Sequence, residues 1–384
     1  MKTDLVDRVR TRLMVTEGEA TPSRVAAALR DEGLVLGDSA VLDLVHRLRH
    51  EFIGAGPLES LLRDPLVTDV LVNGPDEVWV DRGVGLEREG LRFESEADVR
   101  RLAQRLAAAA GRRLDEASPH VDARLRSGVR LHAVIPPLSV DGTAISLRVP
   151  SSQPLSLAAL VARDAVDGQT AALLRGIVHA RLALLVTGGT GTGKTTVLSA
   201  LLSEVAEQER IVIVEDSTEL APHHPHVVRL QSRLPNVEGA GEVTGRDLVR
   251  QALRMRPDRI VVGEVRGAEV VDMLAAMNTG HEGGAGTIHA NSPEDLPARL
   301  EALGIMAGLT REAVHALLGS AIDVVIHLRF DGARRRVIDG LHVLQRRPDG
   351  FVETMPALIR TPTGLVRGDG FATLQARVDM TAPT

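Results

Sequence analysis

The chain has 384 residues, a formal net charge of −6 and no cysteine. Its length predicts two or three domains, each with its own core. Five Phe, one Trp and no Tyr, together with the acidic balance, argue against a general nucleic-acid-binding protein, which needs cationic surface and stacking side chains. The absence of cysteine suits a reducing cytoplasm. The charged amino terminus does not resemble a signal peptide, and no apolar run reaches the roughly 18 residues of a membrane-spanning helix.

The first part of the chain predicts a helical segment followed by a small domain. Residues 1–50 have apolar positions at helical spacing and form a predicted helical extension. Residues 51–150 mix strand and helix patterns and predict an α+β domain. Its predicted elements are a hairpin around Asn73-Gly74-Pro75, a helix over 96–111 and strands over 129–135 and 143–149.

The second part of the chain predicts an α/β domain. Residues 151–170 begin with Pro and Ser and are predicted as a linker that leads into a helix. Residues 171–345 contain the short apolar runs LALLV, IVIVE and RIVVGE, which alternate with helical patterns and suit a buried parallel sheet. A hairpin is predicted around Asp331-Gly332. Residues 346–384 carry little pattern and are predicted as a tail.

Residues 188–195, GGTGTGKT, match the phosphate-binding pattern G-x-x-x-x-G-K-[ST]. The match follows the strand LALLV and opens a helix, which is the context that phosphate binding requires. Lys194 is one of only two lysines among 45 basic residues. A compact ammonium at this position is not interchangeable with an arginine, which explains why a lysine is present here. The pattern therefore predicts an ATP site. The predicted nucleotide-binding residues are Gly188, Gly189, Thr190, Gly191, Thr192, Gly193, Lys194, Thr195 and Thr196.

Acidic residues follow two of the predicted apolar strands. Glu215, Asp216 and Glu219 come after IVIV, and Glu264 comes after RIVVG. Parallel strands place ligand-binding groups at their carboxyl ends. We expect Thr195, Asp216 and Glu264 to hold Mg²⁺, with orientation of water as the alternative role of Glu264. The group from Glu215 to Glu219 is expected to activate the attacking water. Spacing does not decide which glutamate is the general base.

Arginines and histidines supply further candidates. Sequence alone does not separate the arginines that contact phosphate from surface charges. Two histidines, His281 and His289, lie in the segment TGHEGGAGTIHANS, which is predicted as a glycine-rich polar loop. A metal-binding pair is possible there, but hydrogen bonding to a phosphate or a catalytic acid is favoured, because no third ligand has zinc spacing. The candidate arginines are Arg124, Arg126, Arg130, Arg148, Arg254, Arg256 and Arg266.

Several segments resemble those of the type II/type IV secretion ATPases, and most closely the tight-adherence (Flp) pilus assembly ATPases and their conjugal-transfer-associated forms. The resemblance extends from Gly54 to about Leu344 and is most specific from Ala252 to Glu301. It implies a RecA-like ATPase domain, a hexameric ring and a mobile N-terminal domain that closes over the nucleotide. The segments are GPLESLLRDPLVTDVLVNGPDEVWVDRG, DEASPHVDARLRSGVRLHAVIPPLSVDGTAISLR, GGTGTGKTTVLSALL, IVEDSTEL, ALRMRPDRIVVGEVRGAEVVDMLAAMNTGHEGGAGTIHANSPEDLPARLE and RFDGARRRV.

The resemblance also implies roles for individual residues. IVEDSTEL corresponds to the Asp box of the family and RPDRIVVGE to its Walker B segment, which ends in Glu264. TGHEGGAGTIHAN corresponds to the His box, so His281 and His289 would couple the γ-phosphate to domain movement. Arg124, Arg130 and Arg148 would contact phosphate from the N-terminal domain. Two positions depart from the family pattern: Thr192 replaces the usual serine, and no basic residue follows Arg148.

These observations predict an ATP-hydrolysing hexameric motor that powers pilus assembly or protein secretion. It would act at the inner face of the cytoplasmic membrane, with inner-membrane platform proteins as partners and pilin-like cargo as an indirect partner. No direct contact with nucleic acid is expected. Two alternatives stay open: the ATPase of a DNA-transfer apparatus, and a nucleotide-gated scaffold with little turnover.

Overall fold

The computed structural model describes residues 54–83, 85–150, 155–233, 235, 240–280, 282–362 and 364–381. The helical extension predicted at 1–50 lies outside these residues, and so does His281. The chain divides into two compact units, with the boundary after Ser152. None of the helices in the described residues is both long and apolar enough to cross a membrane.

The first unit is an antiparallel sheet covered on one face by a helix. The described strands are β1 Asp69–Val72, β2 Val78–Asp81, β3 Leu86–Arg88, β4 His120–Arg124, β5 Arg130–Val134 and β6 Ala144–Arg148. The described α-helices are the short α1, Glu59–Leu62, and the longer α2, Glu96–Ala109. The strands lie in the order β3-β2-β1-β6-β5-β4. The predicted β1–β2 hairpin and the predicted helix α2 are both confirmed.

The core of the first unit follows from the alternation of its strands. Apolar residues of α2 such as Val99 and Leu102 pack against every second strand residue, among them Val70 and Leu131. The side chain of Ser95 caps α2 by accepting a hydrogen bond from the N–H of Asp98. The opposite face of the sheet therefore carries the intervening, largely polar residues.

Among the described elements, the second unit holds the longer strands and most of the helices. Its described strands are β7 Leu184–Gly188, β8 Ile211–Glu215, β9 Val227–Gln231, β10 Arg259–Val265, β11 Ala285–His289, β12 Val324–Phe330, β13 Arg336–Arg346, β14 Val352–Thr361 and β15 Gly364–Arg367. Its described helices are α3 Leu157–Ala162, α4 Gly168–His179, α5 Lys194–Leu202, α6 Gly245–Ala252, α7 Glu269–Asn278, α8 Leu296–Met306, α9 Arg311–Ala321 and α10 Phe371–Thr381.

These elements form a three-layer α/β fold. The strands lie in the order β15-β14-β13-β12-β7-β11-β10-β8-β9, parallel from β12 to β9 and antiparallel from β12 to β15. Strand β7 is buried on both faces: Leu184 and Val186 face a core with α4 and α5, whereas Leu185 faces a core with α7, α8 and α9. This arrangement confirms the predicted α/β class with a RecA-like domain preceded by a smaller α+β domain.

The second unit takes in residues predicted as a linker and as a tail. In α3, Leu157 and Leu160 are buried in the core on the α5 side, so part of the predicted linker belongs to the fold. In the predicted tail, β14 pairs with β13 and β15 pairs with β14. The sequence of β14 gives only a weak strand pattern. The strand contains Pro356 and lies at the antiparallel end of the sheet, where its pairing with β13 has a register irregularity.

Strand β11 corrects the prediction of a glycine-rich polar loop around His289. The segment Ala285–His289 is a parallel strand between β7 and β10. Its glycine content reflects close packing, because a Cβ on Gly286 would lie 3.1 Å from the carbonyl oxygen of Val262 and 3.3 Å from the side chain of Leu185. Glycine in a strand commonly marks such a close approach. His289 therefore has a fixed backbone position.

The contact between α8 and α9 gives a testable consequence. A Cβ on Gly304 would lie 2.4 Å from Cγ2 of Val314, a stiff β-branched side chain. We expect Gly304→Ala to cost about 1–2 kcal/mol, because overpacking outweighs the roughly 1 kcal/mol gain in helix propensity. The thermal midpoint should fall by about 2–4 °C per kcal/mol. Gly168→Ala, at a helix start with open space, is the matched control and should not lower it. An unchanged midpoint for Gly304→Ala would contradict this account of the helix contact.

Candidate nucleotide site

The phosphate loop connects β7 to α5 through three glycines with positive φ. Gly188, Gly191 and Gly193 have φ of 146°, 75° and 94°, a region that residues with a Cβ rarely adopt. A Cβ on Gly188 would also lie 2.5 Å from the carbonyl oxygen of Leu328. The glycines are therefore required by the backbone, and they direct the loop into the first turn of α5. Helix amino termini of this kind bind anions through free N–H groups.

Lys194 lies folded onto this loop. Its ammonium donates hydrogen bonds to the carbonyl oxygens of Gly188 at 3.0 Å and Gly189 at 2.8 Å. It also lies 3.3 Å from Nδ1 of His289. The side chain is buried, and this burial lowers the pKa of Lys194, while the charge of Glu264 acts in the opposite direction. The ammonium thus occupies the position of a group that neutralises a bound anion.

His289 lies between Lys194 and Glu264. Because Nδ1 of the ring faces an ammonium, it accepts a hydrogen bond, which assigns the ring proton to Nε2. Burial lowers the pKa of His289, and the charge of Lys194 lowers it further, so the ring is neutral at pH 7. Nε2 lies 2.7 Å from Oε1 of Glu264. The N–H is not aligned with this oxygen, so Oε1 is buried without a hydrogen-bond donor.

The second oxygen of Glu264 is held by an arginine. Oε2 accepts a hydrogen bond from Arg266 in a close ion pair, and this bond raises the pKa of Arg266. Glu264 is therefore held by Arg266 near the end of β10, and the ring of His289 lies against its other oxygen. One of its oxygens stays available to a ligand.

Glu215 is the most buried carboxylate of the site. It ends β8, and its Oε1 accepts hydrogen bonds from the N–H groups of Glu219 and Leu220, both at 2.9 Å. Its Oε2 is buried without a donor. Burial raises the pKa of Glu215 to about 6. Gly263 makes room for this side chain, because a Cβ there would lie 2.4 Å from Cγ of Glu215.

The remaining predicted acids and hydroxyls lie in more open positions. Asp216 is exposed, and its Oδ1 accepts a hydrogen bond from the hydroxyl of Ser232 at 2.9 Å. Glu219 is exposed, whereas Thr195 and Thr196 are half-buried in the first turn of α5. The exposed Thr190 and the buried Thr192 belong to the loop itself, and the Thr192 hydroxyl donates to the carbonyl of Gly189 at 2.9 Å.

The oxygen donors of the site fit Mg²⁺. Mg²⁺ prefers oxygen ligands and usually takes one or two carboxylates together with phosphate oxygens and water. Glu264 and Asp216 supply carboxylates, Thr195 supplies a hydroxyl, and the orphaned Oε1 of Glu264 is a buried acceptor. Within the described residues, no group of three or more His, Asp and Glu could hold a metal by itself. A nucleotide would complete the ligand set.

The three predicted N-terminal arginines lie together in the first unit. Arg130 on β5 pairs directly with Arg124 on β4 and with Arg148 on β6. Directly paired residues share a face of the sheet, and this face is opposite to the one covered by α2. Nε of Arg148 donates to Asp69 at 3.1 Å. Like charges in direct opposition destabilise a sheet, so this arginine row suits the binding of an anion. Arg126 is exposed and lies outside the row.

One contact with the phosphate loop was not predicted. Nε of Arg336 donates to the carbonyl oxygen of Gly191 at 2.8 Å. In the sequence, Arg336 is the last of three consecutive arginines, and nothing distinguishes it from Arg334 and Arg335. Its position depends on the pairing of β12 with β7, which the sequence does not reveal.

The fold and this arrangement of residues define a P-loop protein of the RecA-like class, and comparison with known proteins gives the family. Residues 51–334 match the family model of the type II/IV secretion system protein. A putative conjugal transfer protein of Mycobacterium tuberculosis is 58% identical over 327 residues, covering 84% of this chain and 93% of that protein. The conjugal transfer protein TrbB of Rhizobium radiobacter is 30% identical over 287 residues, covering 73% and 85%.

A solved structure supports the fold. The ATPase DotB of Legionella pneumophila matches with a TM-score of 0.51 and 21% identity, over 76% of this chain and 80% of that chain. At this identity the match establishes a shared fold alone. The chain belongs to the type II/IV secretion system protein family, and the resemblance drawn from its motifs is confirmed.

The buried Glu215 predicts a pH dependence of stability. Its pKa is about 6 in the folded chain, against an ordinary value of 4.5 for glutamate. The folded state therefore binds more protons between these values, and Glu215 destabilises the fold progressively as the pH rises from 4.5 through 6. Above pH 6 the full cost applies, on the order of 2 kcal/mol. Glu215→Gln removes this cost.

The measurement is the thermal midpoint without nucleotide, at about pH 5 and about pH 7.5. The midpoint of Glu215→Gln relative to the wild type should be higher at pH 7.5 than at pH 5. Glu353→Gln, at an exposed position on β14, controls for the loss of one carboxylate and should show no such change. A pH-independent difference for Glu215→Gln would contradict a raised pKa at this position.

Proposed function

We propose that this chain is an ATP-hydrolysing motor of a type II/IV secretion machine. The observation that carries the proposal is the contact series Lys194–His289–Glu264. Lys194 begins α5 after the phosphate loop, and His289 and Glu264 lie at the ends of β11 and β10. A lysine on the loop, a neutral histidine and a carboxylate with an orphaned oxygen match the needs of phosphoryl transfer to water. An anion-binding structural loop would not need the carboxylates.

Each residue has a distinct task in the proposed reaction. The Lys194 ammonium leaves the carbonyls of Gly188 and Gly189 and binds the β- and γ-phosphates, because these oxygens carry more charge. Mg²⁺, when bound, neutralises the charge that develops on the phosphate oxygens. Glu264, with Asp216 and Thr195, would hold Mg²⁺, and Glu215 accepts the proton of the attacking water. A pKa of about 6 leaves Glu215 ionised at pH 7 yet basic enough for this task.

His289 links the phosphate to the rest of the second unit. Its ring accepts from Lys194 on one side and lies against Glu264 on the other. Movement of the ammonium onto a phosphate removes the donor at Nδ1, so the ring must find a new partner. We propose that this exchange, at the end of the rigid strand β11, reports the presence of the γ-phosphate. His281, the other predicted histidine of this segment, keeps only its predicted role.

The family supports a proposal for the assembly and partners of the motor. We propose a homohexamer that acts at the inner face of the cytoplasmic membrane with inner-membrane platform proteins. The cargo in this proposal is a pilin-like or secreted protein, as in tight-adherence pilus assembly. The arginine row of Arg124, Arg130 and Arg148 is proposed to stabilise the charge of the γ-phosphate.

The names of two relatives favour a second candidate function. The proteins of M. tuberculosis and R. radiobacter are named as conjugal transfer proteins, which suggests the ATPase of a DNA-transfer apparatus. The net charge of −6 supports indirect action on DNA over direct contact. Hydrolysis that rises on addition of double- or single-stranded DNA would favour direct action. Tight binding with negligible turnover would favour a nucleotide-gated scaffold.

The central test is Mg²⁺-dependent phosphate release by the purified chain. Lys194→Ala should abolish release because the phosphate loop loses its charge, and Glu264→Gln should lower it by about 100-fold or more while ATP still binds. Glu353→Gln removes an exposed carboxylate on β14 that is not among the site residues. It is the control and should retain wild-type turnover. The oligomer is sized by light scattering in the same samples.

Wild-type release in a hexamer-sized species, lost in both site variants, would support the motor. Unchanged release in Glu264→Gln would contradict the role of this carboxylate. ATP binding without release in any condition would replace the motor with the scaffold.

The arginine row makes a separate prediction. Arg130→Gln, at the centre of the row, should lower kcat by at least about tenfold because an arginine that meets the γ-phosphate acts mainly in the transition state. Its affinity for ADP should stay within about twofold. Arg126→Gln, an exposed arginine outside the row, is the matched control. Equal kcat in the two variants would exclude the row from the reaction.

A further inference from the structure

The β12–β13 hairpin contacts the phosphate loop without an intervening layer. β12 pairs in parallel with β7, and Leu328 lies opposite Gly188. The carbonyl oxygen of Leu328 lies 2.5 Å from the position of a Cβ on Gly188, so no side chain separates the two strands. β12 then continues to Phe330, and this register places the hairpin directly beside the loop.

Two residues of the hairpin lie on the loop. Phe330 and Arg336 are direct cross-strand partners, so their side chains emerge on the same side of the hairpin. Cζ of Phe330 lies 3.9 Å from the position of a Cβ on Gly191, and Cδ of Arg336 lies 3.4 Å from that of Gly193. Nε of Arg336 donates to the carbonyl oxygen of Gly191 at 2.8 Å.

This hydrogen bond fixes the direction of one peptide group. In a planar trans peptide the C=O of Gly191 and the N–H of Thr192 point in opposite directions. A donor that holds the carbonyl oxygen on the hairpin side therefore directs the N–H of Thr192 away from the hairpin. Gly191 and Gly193 both have positive φ, and glycine rotates readily, so the peptide needs such an anchor.

We infer that Arg336 is a positioning residue of the phosphate loop: it orients the Thr192 peptide for the phosphates of a nucleoside diphosphate or triphosphate. This inference rests on the proposed nucleotide site. The hydroxyl of Thr192 restrains the same residue further, by donating to the carbonyl oxygen of Gly189 at 2.9 Å. The loop is thus organised before a nucleotide arrives, and preorganisation increases affinity by reducing the entropy lost on binding.

The neighbouring Arg335 provides a matched comparison. It lies in the same hairpin, is equally charged and is also exposed, but its Nε donates to Asp331 within the turn at 2.9 Å. A surface arginine contributes little to stability, so neither residue should affect the thermal midpoint without nucleotide. A difference between the two positions in nucleotide binding therefore reports the loop contact and not the charge of the hairpin.

The experiment titrates Mg²⁺-ADP and Mg²⁺-ATP into the full chain carrying Arg336→Gln, Arg336→Lys or Arg335→Gln. Arg336→Gln should weaken both nucleotides about tenfold, and Arg336→Lys less, because lysine keeps the charge but loses the directed Nε–H. Arg335→Gln should stay within about twofold of the wild type. In steady state, Arg336→Gln should raise KM for ATP and leave kcat within about twofold.

Three results would overturn the inference. Equal affinities for Arg336→Gln and Arg335→Gln, with binding intact in the wild type, would remove the role of Arg336 and leave the nucleotide site standing. A loss confined to ATP would assign Arg336 to the γ-phosphate and not to the loop. No ADP or ATP binding by the wild type would overturn the proposed function as well. If Arg336→Gln does not fold, Arg336→Lys against Arg335→Lys carries the same comparison.

Discussion

The candidate site depends on the alignment of four parallel strands. β7, β11, β10 and β8 are neighbours in the sheet, and all four end at the same edge. His289 at the end of β11 is directly opposite Gly188 at the end of β7, so the histidine and the phosphate loop are held at one level. Glu264 is the penultimate residue of β10, and Glu215 is the last residue of β8. Because backbone hydrogen bonds fix this register, the Cα positions of the site residues are fixed too. Their polar side chains therefore come into contact without large conformational changes.

The same alignment explains why the site tolerates so many buried polar groups. Lys194 is buried, but it has two carbonyl partners and the His289 ring. Glu215 is buried with one oxygen satisfied by backbone N–H groups and the other without a donor. A buried group without a partner costs free energy, and functional sites are where such costs persist. In the first unit, the arginine row places like charges opposite one another across the strands, with Arg148 paired to Asp69.

Local patterns in the sequence predicted the elements whose signals are local. The phosphate loop, the β1–β2 and β12–β13 hairpins and helix α2 each follow from turn residues or periodicity within a short segment. Strand β11 did not, because its glycines reflect the proximity of Val262 and Leu185 on neighbouring strands. Strand β14 lies in the predicted tail for a similar reason: its partner, β13, gives it a place that its own mixed sequence does not indicate. Tertiary context decided both cases.

The residues of the candidate site also fall into two groups: those found from local motifs and those placed by tertiary contacts. Lys194, Glu215 and Glu264 could be selected from motifs beside predicted strands, whereas the contact of Arg336 with Gly191 depends on which strands are neighbours. Arg124, Arg130 and Arg148 could be separated from the other candidate arginines only through the family resemblance, since the chain is rich in arginine. The sheet then added what the sequence lacked, namely that the three share one row of cross-strand partners.

The scarcity of lysine has a practical consequence for chemistry on this chain. Only Lys2 and Lys194 carry side-chain amines. Burial lowers the pKa of Lys194, so more of its amine is in the nucleophilic, neutral form than for an ordinary lysine. An acyl-phosphate derivative of a nucleotide would thus deliver its acyl group to one peptide of the folded chain. Acylation of Lys194 could therefore be followed by mass spectrometry, without a labelling site introduced by mutation.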